Sequence, residues 1–268
     1  MKKNDFRANL ISIALPITLQ SLLQSSFSMV DQIMIGQLGS ERIAGIGLGG
    51  KFASIYSVVL GAVAAAAGIM AAQYVGAKDE RGMGRSFYLN LLVGLLLAGG
   101  FLAVCGFFPK GIMSLYTRDE AVKTQAAVYL RIYAASFPVV AMSTIMTVFL
   151  RCTGKAVFPL VASFFSVLLN TGLNYLLIFG RGGFPAMGVQ GAALASVIAQ
   201  AAAFGVTVVY FCRDRAFRSY GRGEQVRVAL RLTGEERKQY LGILMPILVC
   251  EFVWSLGENM YAVIYGRL

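Results

Sequence analysis

The sequence predicts an all-α membrane protein: a six-helix transmembrane bundle plus a seventh helix that starts a second, parallel repeat. Three observations predict it. Apolar, almost uncharged stretches long enough to cross a bilayer recur along the chain, basic residues alternate between the intervening segments, and the first apolar helix returns near the end of the chain. Of the 268 residues, 57% are hydrophobic and 14% charged, against about 25% charged in an ordinary soluble domain.

The first stretch, Leu10–Ile35, carries one charge, Asp31. It follows a short basic approach and could pass for a signal peptide, but it is too long and lacks a small-residue cleavage site before Asp31, so a retained helix is expected. Phe52–Ala77, Phe87–Phe108, Ile132–Leu150, Ala156–Gly180 and Phe184–Cys212 are free of charge, and Gln239–Gly266 holds only Glu251 and Glu258. Each reaches the roughly 20 residues that a spanning helix needs, well beyond the short alternating strands of a membrane barrel. Hydrocarbon requires every backbone polar group to be satisfied internally, which leaves the helix.

The Lys and Arg residues sort by side. Sixteen precede the first span, follow the second and fourth, or cluster in the Arg213–Lys238 segment, whereas the opposite loops hold four: Arg42, Lys110, Arg118 and Arg181. The positive-inside rule places the N-terminus in the cytoplasm of a multi-pass protein of the plasma (inner) membrane. The net charge of +11 is thereby accounted for by lipid headgroups, and no nucleic-acid partner is expected.

Residues 10–38 overlay residues 240–268 without a gap, matching Ile13 with Ile243, Pro16 with Pro246, Ile17 with Ile247, Ser25 with Ser255, Gly36 with Gly266 and Leu38 with Leu268. Five spans lie between the copies, so both run in the same direction, as in repeats related by an axis along the membrane normal. The expected organisation is a six-helix lobe over 1–212, a basic cytoplasmic linker over 213–238, and over 239–268 the first helix of a second lobe whose remaining helices are missing, as in a truncated product.

Asp31 is the sharpest candidate, because a carboxylate inside an apolar span is costly and marks a functional site by default. Solvation near the outer interface is the bland alternative, but Ile33–Ile35 continue the apolar run beyond it. Pro16 removes a backbone hydrogen bond and bends the helix, as a hinge or as a static kink. Asn170 and Asn174 lie one turn apart on one face and can hold a carboxylate or a cation, or serve as interhelical glue. Gln73, Gln190, Ser196 and Gln200 add polar groups. Glu251 and Glu258, seven residues apart, share a face, and with Gln73 they are candidates for lining a cavity. Lys51 and Arg131 sit near span ends and are expected to snorkel to the headgroups.

Gly45–Gly50 fits GxGxxG, but no strand precedes it, and a dinucleotide site is rejected. Ala62, Ala66, Gly68, Gly191, Ala192, Ala195 and Ser196 instead suit close helix contacts. The four cysteines are scattered, histidine is absent and no nucleophile–base pair is visible, so no metal centre, cofactor or enzymatic activity is expected.

Several motifs together resemble the multidrug and toxin extrusion (MATE) family over essentially the whole chain: ALPITLQ and MVDQIMIGQLG in the first helix, AAQYVGAKDE, RCTGK, LLNTGLNYLLIFG, GVQGAALAS, and LMPIL with EFVWSLGENMYAVIYGRL near the end. The resemblance implies two six-helix lobes around a cavity that opens alternately to either side. It implies secondary antiport, in which cationic or amphipathic drugs and toxins leave in exchange for H+ or Na+. Asp31 matches the family's coupling carboxylate, where Na+ is one candidate ion, and Pro16 matches the proline at which the first helix bends. Asn170 matches a polar partner of that carboxylate, and Ser196 falls where a small hydroxyl residue follows the GAA motif. Asn174 departs from members that carry a second aspartate there. A chain ending after one lobe is expected to be inactive or to depend on a second chain supplying the missing lobe. The competing readings are a flippase for lipid-linked saccharides, for which only Lys51 and Arg131 offer basic cavity groups, and a non-transporting membrane scaffold.

Overall fold

The computed structural model describes residues 3–213 and 234–266, with side chains from Ala14 onward in the first helix. Among these residues it contains no strand. The helices are α1 (Lys3–Gly36), α2 (Ser40–Ala77), α3 (Glu80–Phe107), α4 (Pro109–Tyr116), α5 (Glu120–Tyr133), α6 (Phe137–Cys152), α7 (Val157–Phe179), α8 (Val189–Arg213) and α9 (Gly234–Tyr265). Most of the predicted linker, residues 214–233, lies outside the described residues, as does Leu268 of the repeat.

Among the described residues, six helical segments are long and apolar enough to cross a membrane: Ser40–Ala77, Glu80–Phe107, Glu120–Cys152, Val157–Phe179, Val189–Arg213 and Arg237–Tyr265. The first helix, expected as a seventh span, has ample length at 34 residues. It is diluted, however, by Gln20, Gln24, Ser25, Ser26, Ser28, Asp31 and Gln32. Polarity concentrated in one helix of a membrane bundle points to what that helix faces, which is a cavity.

Local chemistry sets the breaks. Lys78 adopts a left-handed conformation (φ 55°) that ends α2, and the Asp79 carboxylate then accepts from the Arg81 and Gly82 amides at 3.1 and 2.9 Å to cap α3. Asp119 caps α5 in the same way, accepting from Ala121 and Val122 at 2.8 and 3.2 Å. These caps satisfy amides that a helix start leaves orphaned. Between α5 and α6 the 3-10 turn Ala134–Ser136 precedes Pro138, so the helical path runs from Glu120 to Cys152 and not only over Ile132–Leu150. A tighter turn accommodates the missing proline amide without ending the span.

The helix α2 begins twelve residues before the expected span, with Gly45–Gly50 inside it. A Cβ on Gly45 would lie 2.7 Å from Gln125 Cβ, and one on Gly49 would lie 2.8 Å from the Tyr129 ring. The glycines therefore exist to bring α2 onto α5, and this close packing offsets their helical entropy cost.

The central helix is α2, which packs against α3, α5, α6 and α9; α1 packs mainly on α7, and α7 on α8. One apolar cluster unites Phe87, Phe149 and Phe211 with Leu244 of α9, and a second gathers Tyr56, Leu130 and Phe137. Phe87 meets Phe149 and Phe211 at centroid distances of 5.1 Å each, and the Tyr56 hydroxyl donates to the Phe137 carbonyl at 2.7 Å. Near one end of α9, Tyr240 donates to Asn90 Oδ1 at 3.2 Å, and near the other Tyr116 donates to Asn259 Oδ1 at 2.8 Å. Burial pushes the Tyr116 phenol above its ordinary pKa and keeps it a donor.

Candidate functional site

The polar face of α1 consists of Gln20, Gln24, Ser28 and Asp31, at intervals of four, four and three residues, and it borders a cavity of about 590 Å³. Residues at these spacings stack on one side of a helix. Because α1 lies on α7, and α7 on α8, this face meets Asn170, Asn174 and Ser196.

Asp31, Asn174, Asn170 and Ser196 form one chain of hydrogen bonds. The Ser196 hydroxyl donates to the Ala192 carbonyl at 3.1 Å, and Asn170 Nδ2 donates to Ser196 Oγ at 3.4 Å. Asn174 Nδ2 donates to Asn170 Oδ1 at 3.2 Å and also to Asp31 Oδ1. Asn174 is 1% exposed, so its amide is fully withdrawn from water. A charged carboxylate is a strong acceptor, and the amide aimed at it lowers the cost of keeping it in a low-dielectric site. The Asn174 Oδ1 is buried and has no hydrogen-bond partner among the described residues. An orphan acceptor beside a carboxylate is chemically suited to a cation, or to the O–H of the carboxyl once protonated.

Pro16 is buried within α1. Gln200 borders the same cavity as Asp31, whereas Gln190 is exposed at the start of α8. Gln73 and Glu251, expected as cavity-lining candidates, are exposed and do not border it. Nor does Glu258, whose carboxylate pairs with Lys51 at 3.1 Å across α9 and α2. A helix face is shared by residues seven apart, but which neighbour that face meets is set by packing. Lys51 therefore has a carboxylate partner where snorkelling was expected, and Arg131 is exposed.

Sequence reasoning passed over three groups at the other end of the cavity. Arg151 Nη2 donates to Gln20 Oε1 at 2.7 Å, and Gln20 Nε2 donates to Ser163 Oγ at 2.5 Å. Gln20 and Gln24 were legible from their register with Asp31, three and two turns upstream on the same face. Arg151 was not, because at the end of an apolar stretch it reads as a loop residue.

Comparison with known proteins agrees with this architecture. The MatE family profile matches residues 16–176. A probable multidrug resistance protein NorM of Thermotoga maritima is 27% identical over 261 residues, covering 96% of this chain and 54% of that protein. The probable multidrug resistance protein YoeA of Bacillus subtilis is 30% identical over 264 residues, covering 94% of this chain and 56% of its own length. The chain thus spans about half the length of the curated relatives it matches. Among solved structures, a MOP superfamily transporter from Pyrococcus furiosus superposes with a TM-score of 0.79 at 17% identity, covering 94% of this chain and 54% of that one. An outward-facing multidrug resistance MATE transporter gives 0.78 at 19% identity, again over 94% and 54%. These likenesses establish the fold. With a profile match over more than half of its length, a cavity beside a hydrogen-bonded carboxylate in its first helix, and the fold of solved MATE transporters, the chain belongs to the MatE family of transporters.

Proposed function

We propose that this chain supplies one lobe of a secondary antiporter that exports cationic or amphipathic drugs and toxins in exchange for H+ or Na+. In this reading residues 1–212 form the lobe, 213–238 a cytoplasmic basic linker, and 239–268 the first helix of a second lobe. The chain sits in the plasma (inner) membrane with its N-terminus in the cytoplasm. The observation that carries the proposal is the Asp31 carboxylate on a polar cavity wall, held by Asn174 and next to that residue's unpartnered oxygen.

The chemistry is a competition for one negative charge. An organic cation in the cavity is attracted to ionised Asp31. A proton or Na+ reaching the carboxylate and Asn174 Oδ1 removes that attraction. Asn170 and Ser196 keep the Asn174 amide oriented through both states. A ligand shifts a two-state equilibrium only by its differential affinity for the two states, and neutralising a buried charge is a large difference. Alternation itself needs a second lobe to move against, from a continuation of the chain or from a second chain.

The test uses the purified chain in lipid nanodiscs with a fluorescent organic cation. Dye binding should weaken as Na+ is raised or pH lowered, and Asp31→Asn should abolish both the binding and its ion sensitivity. An Asp31→Asn protein that binds dye with unchanged ion competition would refute the reading. In proteoliposomes the chain alone should move dye only where it is present as a dimer, and efflux by a monomer would refute the lobe assignment. A lipid-linked saccharide flippase is less well supported: Lys51 is paired with Glu258, Arg131 is exposed, and neither lines the cavity.

A further inference from the structure

The Asp31 cavity carries a charge at each end. Arg151 is the penultimate residue of α6, and its guanidinium does not turn back to the carbonyls ending its own helix. It reaches across the cavity wall to Gln20 on α1, and Gln20, 7% exposed, is itself held by Ser163 of α7. This contact uses one of five N–H donors. Arg151 Nε is buried with no partner, and among the described residues no carboxylate pairs with the group. Its partners are neutral, so its charge remains available to the cavity.

A partly buried cation is expensive unless it faces a partner or a water-filled cavity. Asp31 is not that partner. Gln20 and Asp31 are eleven residues apart on α1, which is roughly 16 Å along the helix axis. Between them the wall is mixed, with Ala64, Val140, Val148 and Val167 beside Ser143 and Thr147. The volume of about 590 Å³ suits a drug-sized molecule, since ligand cavities commonly measure about 300–1,000 Å³.

We propose that Arg151, positioned by Gln20 and Ser163, is a carboxylate-binding subsite, so that the cavity prefers long zwitterionic amphipaths whose cationic end lies at Asp31 and whose carboxylate lies at Arg151. The planar guanidinium offers a fork that matches a carboxylate. The proposal rests on the reading that organic cations bind at Asp31, and it deepens that reading by naming the substrate class.

The experiment measures displacement of a fluorescent organic cation from the chain in nanodiscs by ω-aminododecanoate, its methyl ester, and the shorter pair ω-aminohexanoate and its ester. The long zwitterion should bind about tenfold tighter than its ester, the scale of one charge-assisted contact. The short pair, unable to reach both groups, should show no such preference. Arg151→Gln should bring the long pair to a ratio near one, and Arg151→Lys should retain part of the preference. A wild-type ratio of one, an equal preference in the short pair, or an undiminished ratio in Arg151→Gln would each overturn the subsite. If Arg151→Gln does not yield folded protein, the acid-to-ester ratio and its length dependence in the wild type decide alone. Ester binding that is lost in Asp31→Asn, together with a wild-type ratio of one, sinks only the subsite. If the ester does not bind at all, the cation reading fails with it.

Discussion

Replacing Gly191 with alanine should loosen the joint between α7 and α8 that holds the site together. A Cβ at this position would lie 2.6 Å from the Leu177 carbonyl oxygen, 2.7 Å from its carbonyl carbon and 3.1 Å from the Ile178 nitrogen. All three are backbone atoms, which cannot rotate away. Ordinary contact begins at 3.4 Å, so the two helices must part locally by 3.4 minus 2.6, or about 0.8 Å. The Leu177 carbonyl already accepts the Met187 amide at 2.9 Å, and the Asn170–Ser196 bond is already long at 3.4 Å, so neither contact has slack. Overpacking of this kind costs about 1–3 kcal/mol, and at about 2–4 °C per kcal/mol the midpoint should fall by about 2–12 °C. Gly205 on the same helix is exposed and a Cβ there meets nothing within 4 Å, so Gly205→Ala should gain about 0.5–1 kcal/mol from helix propensity alone. Thermal unfolding in detergent, followed by labelling of the fully buried Cys105 with a thiol-reactive dye, reads both changes. Shifts of the same sign for the two alanines, or no loss of midpoint in Gly191→Ala, would show that the close approach of α7 and α8 is not what this glycine provides.

Tyr56→Phe removes the buried hydroxyl bonded to the Phe137 carbonyl at 2.7 Å, and the same assay should show a loss of about 1–2 kcal/mol. Tyr116→Phe and Asn259→Ala break the hydrogen bond at 2.8 Å between α9 and α4. A double-mutant cycle on them should return a coupling of about 0.5–1.5 kcal/mol, and strict additivity would mean that the bond does not form. Tyr240→Phe acts at the other tie of α9, where the phenol meets buried Asn90 at 3.2 Å. It should speed proteolysis within 234–265 relative to the wild type, and unchanged cleavage would remove α9 from the packed unit.

Much of the fold was legible because its signal is local. Long apolar runs, the capping aspartates at 79 and 119, and the prolines at 16 and 246 are read within one window of sequence. Asp31, Asn170 and Asn174 were legible for the same reason, since a polar group in an apolar run is conspicuous wherever it points. Element ends were less legible. The span expected from Phe52 begins instead at Ser40 and includes the glycine run at 45–50, whose cost is offset by contact with Gln125 and Tyr129 some eighty residues away. The span expected from Ile132 in fact starts at Glu120, its path carried past Pro138 by a 3-10 turn.

The sequence by itself determined that this chain lives in lipid, that it is built of helices, roughly where each lies, and to which family it belongs, because hydrophobicity and family motifs are sums over neighbouring residues. Only the tertiary structure decided which polar groups meet. Asp31 and Asn174 are 143 residues apart, Gln20 and Arg151 are 131 apart, and Lys51 and Glu258 are 207 apart. Each pair exists because two helices present particular faces to one another at a particular height, and that choice belongs to the packing of α1 on α7, of α7 on α8 and of α9 on α2.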